Sequence, residues 1–397
     1  MEYFKKVSYW TLYGEKLEVA ENNDHLGLIV SGIDEEAKNV DKNINSARNS
    51  LFGFLGNIFS YKCKISPAVQ YQTWIVFVKP VLRSELAALP IRSAGIKSLT
   101  VFHKKVLRAI LKLSQYSPVV PLYFMLGELP VEATLHLDIL SLFWNIWNNP
   151  QTKVYEVVKY LLLMSDDKSL TWSAHIRTIF KLYQLADPLV LLDTSPWTKV
   201  RWKHHVQALV TSYHERVLRY KAATNSKLSF LNVQTLGLSG RLHPTIAWVQ
   251  TTQDVEIVRP HVKMLTGDYQ CYAYLGSDRG VDQSCKLCTQ PPCQPAPPED
   301  LVHLLTQCRA TADTRDRYLP DRINLIAVHL PSNKILFHHP SPSLLTQFLL
   351  DCSSLNLPSD IRIPPKHPSF TLITRQCSVM IYGIHRDRCK QLKNIRP

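Results

Sequence analysis

The chain has 397 residues, room for two or three domains with a real core, and its 45% hydrophobic and 20% charged residues are ordinary for a globular protein. Only 13 glycines against 25 prolines argue against a Gly-rich nucleotide-binding fold, and a net charge of +14 favours a polyanionic partner, nucleic acid before an anionic membrane. There is no secretory signal after Met1, and the most apolar stretch, Leu135 to Trp147, is broken by Asp138 and falls short of the ~20 residues of a membrane span. The expectation is a reducing compartment, nucleus or cytoplasm, with no membrane partner. The nine cysteines are then thiols or metal ligands rather than a disulfide framework.

In chain order, Ser8 to Leu12 and Leu17 to Ala20 flank Tyr13-Gly14-Glu15-Lys16 as a hairpin, and Asp24 to Gly32 reads as a third strand. Three short strands make a weak sheet alone, and they look like the rim of a domain whose remainder lies before Met1. A helix is expected from about Asp34 to Phe52. Ser66-Pro67 supplies an N-cap with Pro at the first helical position, opening a helix with Val69, Trp74, Ile75 and Val78 that stops near Pro80. From Leu99 to Leu113 the helical period is clear, with Leu99, Phe102, Val106, Ile110 and Leu113 on one side. Gly127-Glu128-Leu129-Pro130 opens a helix from Val131 to about Trp147 that is apolar almost all round and should be buried.

Val154 to Met164, Ser173 to Leu185 and Trp202 to Tyr220 continue the helical pattern, and Gly237 to Pro244 reads as a loop. Val255 to Val258 is a short piece ended by Pro260, with a brief helix from Pro260 to Leu265. Gln290 to Pro298 is too rich in proline for helix. A helix carrying Arg309, Arg315 and Arg317 follows Cys308; beyond Pro320 the chain is Pro-punctuated until a last helix, about Cys377 to Asn394.

Two sets of side chains carry chemistry. Cys285-Lys286-Leu287-Cys288 and His303-Leu304-Leu305-Thr306-Gln307-Cys308 form C-x2-C and H-x4-C pairs separated by fourteen residues. Three thiolates and one imidazole complete a tetrahedral set, so Cys285, Cys288, His303 and Cys308 are expected to hold a structural Zn²⁺. Cys293 could compete as a ligand, and Cys271 reads as a packed thiol. The second set is basic. Lys104, Lys105, Arg108 and Lys112 lie opposite the apolar side of their helix, either as a ridge for a phosphate backbone or as an ordinary solvated face. Arg201, Lys203, Arg216 and Arg219 interleave with Trp197, Trp202, Tyr213 and Tyr220, a mixture that suits base stacking and equally suits helix packing.

Several stretches, in order, resemble the carboxy-terminal part of reverse transcriptases from non-LTR (LINE-type) retrotransposons. His25-Leu26-Gly27-Leu28 is similar to the Y-L-G-I strand after the catalytic palm strands. Val78-Lys79-Pro80-Val81-Leu82-Arg83-Ser84-Glu85 resembles the thumb segment v-x-P-x-l-x-Y-G-x-E, lacking its Tyr-Gly. Tyr123 to Val131 resembles Y-x-x-L-G-x-x-P-I. Met264-Leu265-Thr266-Gly267 precedes the cysteine pairs as L-L-T-G does in the family, and Ile384-His385-Arg386-Asp387-Arg388 is similar to the terminal h-x-x-R helix. The resemblance implies a mainly α fold. Palm remnants would occupy 1–35, a thumb-like helical region 36–150, a connector 151–280, a CCHC zinc module 281–320, and a Pro-rich segment with a terminal helix 321–397. It implies binding of RNA or DNA.

It does not imply polymerisation by this chain. The palm aspartates that hold two Mg²⁺ precede the Leu-Gly strand in the family, and no Asp-Asp pair precedes Leu26 here. Asp166-Asp167 comes after that strand and reads as a helix terminus with an acidic turn. Nucleophile-elbow, P-loop and His-Glu-x-x-His patterns are absent, and the adjacent pairs His204-His205 and His338-His339 diverge too far to share a metal. No catalytic residue is expected. The alternatives are a helical protein-interaction adaptor with a structural zinc, or a non-functional element remnant.

Overall fold

A computed structural model describes residues 10–12, 15–17, 22–25, 27–31, 34–54, 56–59, 63–165, 169–234, 236–274, 282–288, 296–329, 340–352 and 368–395. Among the described residues the fold is mainly helical, with strands confined to the amino end. β1 (Trp10–Leu12) pairs with β2 (Glu15–Leu17), and β3 (Asn22–His25) pairs with β4 (Leu28–Ser31), as two separate antiparallel hairpins. The single strand expected from Asp24 to Gly32 is therefore a hairpin. The chain reverses at Gly27, whose φ of 87° is open to glycine and strained for other residues. Helix α1 (Glu35–Asn49) covers the edge of β4. The Asn39 side chain accepts from the Ile29 N–H and donates to the Ile29 carbonyl, both at 2.8 Å, replacing a neighbouring strand's peptide group.

A short α2 (Gly56–Phe59) precedes α3 (Pro67–Thr73), which Ser66 caps from its side chain to the Ala68 N–H. A wide helical turn over Trp74–Val78 joins α3 to α4 (Lys79–Arg83). The helix thus passes Pro80 instead of stopping there, because the widened turn absorbs the ring that would otherwise clash with the preceding turn. Helix α5 (Ser93–Leu111) begins six residues before the expected Leu99. Its apolar side is buried as read: Leu99, Phe102, Val106 and Ile110 are 6% exposed or less.

Helix α6 (Val120–Leu126) ends at Gly127, and α7 (Val131–Trp147) has the expected bounds and lies in the core. α8 (Lys153–Met164), α9 (Trp172–Leu182) and the long α11 (Lys199–Ala223) pack around it, and α10 (Pro188–Leu192) packs against α8 and α9. The joint is aromatic. Phe143 meets Phe180 edge to face at 5.0 Å, Trp147 meets Trp202 at 5.6 Å, and the Trp202 indole donates to the Leu140 carbonyl. The loop after α11 returns to the end of α6. Gly240 N–H donates to the Gly127 carbonyl and His243 N–H to that of Met125, both at 2.8 Å. Gly127 has φ 62°, and a side chain there would stand 2.4 Å from the Arg241 carbonyl oxygen.

The carboxy-terminal part comprises α12 (Pro244–Ala247), α13 (Thr252–Leu265), α14 (Ala312–His329), α15 (Pro342–Leu350) and α16 (Pro368–Ile395). Two expectations are corrected here. The pieces on either side of Pro260 are one helix, α13, held by a capping box between Thr251 and Asp254 and by burial of Val255, Val258, Val262 and Leu265. Likewise α14 continues through Pro320, and α15 lies in a region read only as Pro-punctuated. α16 packs against all four of the others. The buried side chains form one connected core from Val40 to Ile384.

Candidate metal centre

The four predicted ligands converge. Cys288 Sγ is 3.8 Å from Cys308 Sγ and 3.5 Å from His303 Nε2, Cys285 Sγ is 3.9 Å from Cys308 Sγ, and all four ligand atoms lie within 4.8 Å of one another. A tetrahedron of Zn–S bonds of about 2.3 Å has S–S edges of about 3.8 Å. The spacing therefore matches one enclosed ion and is too long for a disulfide. Cys285 and Cys308 are fully buried, His303 is 4% exposed, and Cys288 is half-buried.

Local backbone builds the site. The C-x2-C pair sits on a turn in which Cys288 N–H donates to the Cys285 carbonyl, and Ser284 bridges to Pro298 across the loop. The second pair spans a wide helical turn, His303–Gln307, whose end carries Cys308 back past His303 through a 2.7 Å backbone bond. Main-chain N–H groups of Leu287, Arg309 and Ala310 are directed at the sulfurs of Cys285, Cys288 and Cys308. Donors aimed at sulfur stabilise thiolates and suit a metal-bound set. Hydrogen bonding from the Cys285 thiol, against burial, holds the Cys308 thiol below its ordinary range, while that same bond and burial push Cys285 up. The pocket accepts one thiolate readily; further negative charge there calls for a cation.

The loop is fastened to α16 by a clamp that sequence reading missed. Glu299, 0% exposed, takes both arms of the Arg388 guanidinium at 2.8 and 2.9 Å, and Tyr272 N–H donates to it at 3.1 Å. Arg388 also donates to the Gln270 carbonyl, Gln391 to the Ala310 carbonyl, and Arg315 to the carbonyl of Cys308 itself. Cys271, read as a packed thiol, is buried. Cys293, His338-His339 and Asp166-Asp167 lie outside the described residues.

The predicted basic residues divide. On α5, Lys105 is exposed and Lys104 half-buried, but the other two do not join a ridge. Arg108 donates to the side chain and carbonyl of Ser117, closing the turn after the helix. Lys112 is 3% exposed and closes α5 with φ 55°, a helix-ending geometry that folds its stem into the core. On α11, Arg201, Lys203 and Arg216 are exposed, with the Arg201 guanidinium 4.3 Å from the Trp197 ring and that of Arg216 5.8 Å from Tyr213. Arg219 instead ties down the following loop, donating to Glu215 and to the carbonyls of Val233 and Leu236.

A buried polar cluster joins two of the stretches that carry the resemblance. Glu128 accepts from the Tyr71 hydroxyl at 2.6 Å, lies 2.7 Å from Lys79 Nζ and 3.3 Å from His103 Nε2. Burial opposes its charge, but the His103 and Lys79 interactions outweigh that and hold the carboxyl at about 2. Burial keeps His103 neutral, stacked on Trp74 at 5.3 Å. Among the described residues no helix is long and apolar enough to cross a membrane. No family model, curated protein or solved structure matches this chain, so what the centre can hold is read from its own donor set.

Proposed function

We propose that this protein grips RNA or DNA through basic helices and a zinc-held module, as the carboxy-terminal part of a non-LTR reverse transcriptase would, and that it does not copy what it holds. The observation that carries the reading is the exposed side of α11. The Arg201 and Arg216 guanidiniums stand over Trp197 and Tyr213, Lys199 stands over Trp144, His205 meets Trp197 edge to face at 5.1 Å, and Lys203, His204 and Tyr220 are exposed beside them. Cations held over aromatic faces offer both phosphate contacts and stacking surface for unpaired bases. The net charge of +14 gives the long-range attraction. Zn²⁺ is the ion that three thiolates and an imidazole at tetrahedral spacing select over harder cations. Its role is structural, since four protein ligands leave no open position. The thumb-like assignment of the amino-terminal helices draws support from the Lys79–Glu128 pair, which joins two of the family-like segments.

Fluorescence anisotropy with a labelled single-stranded RNA and its DNA equivalent tests this. The affinity should fall steeply with salt, by about 0.7 log unit per phosphate contact per log unit of salt. The double change Arg201→Glu and Lys203→Glu should weaken binding at least about tenfold on both strands. A flat salt response, or unchanged affinity in that variant, refutes the reading. One observation favours the adaptor alternative: Val154, Val157, Tyr160, Leu163 and Met164 on α8 are each at least 55% exposed, an apolar face of the kind proteins meet. Size-exclusion chromatography with and without RNA separates the two.

A further inference from the structure

Three helices line an open groove of about 500 Å³ on the side of α7 that faces α5 and α9. Each contributes a stripe at helical spacing: Lys97, Val101 and Lys104 from α5, Glu132 and His136 from α7, and His175, Ile179 and Leu182 from α9. The walls are thus mixed. Ile96, Ile179 and Leu182 give an apolar part of the lining, and Lys97 and Lys104 line the same groove two helical turns apart on α5. Burial, Arg108 and Lys221 all press the Lys104 ammonium toward losing its charge, so an anion that reached it would relieve a strained cation.

His136 is set for recognition rather than packing alone. It is 5% exposed, and its Nδ1 is 2.7 Å from the Tyr183 hydroxyl, which is in turn 3.0 Å from His214 Nε2. That chain occupies Nδ1 and leaves Nε2 for the groove. The tyrosine hydroxyl can donate to either imidazole and accept from the other. Reversing it would turn the groove-facing nitrogen of His136 from donor to acceptor without moving a heavy atom. Glu132 faces the same space, and Lys221 offsets part of its charge. It is an acceptor for a ligand's hydroxyl or amine.

We propose that this groove binds a small molecule carrying a carboxylate or phosphate on an apolar body, the oxyanion at Lys97 and Lys104 and the body on Ile96, Ile179 and Leu182. Sites with this balance, apolar walls and a few convergent polar groups, are where small ligands settle. The proposal is independent of nucleic-acid binding by α11.

Isothermal titration of the full chain with phenyl phosphate, benzoate, phenol and inorganic phosphate tests it. Phenyl phosphate or benzoate should bind with a Kd of about 1 mM or tighter, with phenol and inorganic phosphate at least about tenfold weaker. Lys97→Gln, at an exposed position where folding is safe, should weaken binding at least about fivefold; Lys153→Gln on α8 should not. Ile179→Ala should weaken phenyl phosphate and benzoate without creating affinity for phosphate, provided its circular dichroism matches the parent. Which of the two acids binds better identifies the oxyanion. The proposal fails if neither acid binds, if phenol or phosphate alone binds as well, or if Lys97→Gln leaves the Kd unchanged.

Discussion

Arg388→Met separates the clamp from the metal. The substitution keeps an unbranched stem as far as the Nε position and removes the guanidinium with its charge. Glu299, with no exposed side-chain surface, would then keep a carboxylate with only the Tyr272 N–H for company. Removing one partner of a buried ion pair costs about 3–5 kcal/mol, a large share of the ~5–15 kcal/mol that holds a domain together. The same change frees the loop bearing Cys285 and Cys288 from α16, so the metal-competent arrangement is populated less and the apparent affinity falls with it. Urea unfolding of the metal-loaded protein measures the first effect, and competition with a chromophoric chelator measures the second. Adding Glu299→Gln to Arg388→Met removes the stranded charge and should recover at least half of the lost stability. The reasoning is refuted if Arg388→Met costs less than ~1 kcal/mol, or if the double variant is as unstable as the single one.

Other outcomes follow from the same structure. One zinc per chain should be found by elemental analysis, retained in Cys293→Ser and lost in Cys308→Ser; the opposite pattern would reassign the fourth ligand. Burial lowers His136 from 6.5 to about 3 and His214 and His261 to about 4, so below pH 6.5 the unfolded chain binds protons that the folded one refuses. Stability must then fall as pH falls, by about 1.4 kcal/mol per pH unit for each such group, until the folded values are reached. A urea midpoint that stays level from pH 7 to pH 5 contradicts this. Gly127→Ala forces a side chain into φ 62° and onto the Arg241 carbonyl, and thermal melts should show a loss of about 1–3 kcal/mol; an unshifted melt would mean that the loop simply moves away.

What was legible in the sequence is what neighbours along the chain decide. The Cys/His cluster was legible because each pair closes within one turn, and α7 because its apolar residues, eleven of seventeen, fall almost all round the helix. What was hidden depends on partners far away. Arg388 finds Glu299 from 89 residues off, and Tyr71 finds Glu128 from 57. Neither carboxylate has a local pattern that marks it as buried. Pro80 and Pro260 misled for a related reason, since a proline ends a helix by local rules but packing of the flanking apolar turns overrides them. Lys112 misled because angular position at 100° per residue stops meaning anything where the helix itself ends. A basic residue at a helix terminus followed by an apolar one, as Lys112 is by Leu113, is the signal that could have warned of it.

The clamp also sets an order of events during synthesis. All four metal ligands leave the ribosome before α16 does, so the loop can capture its ion while its anchor is still unmade. Until Arg388 arrives, Glu299 is a solvated carboxylate, and the grooves of α13, α14 and α15 lie open. Docking of the last long helix then packs α16 against α12, α13, α14 and α15. A nascent chain stalled just before Pro368 should therefore bind zinc yet remain open to protease along α13 and α14, a state from which the finished protein is protected.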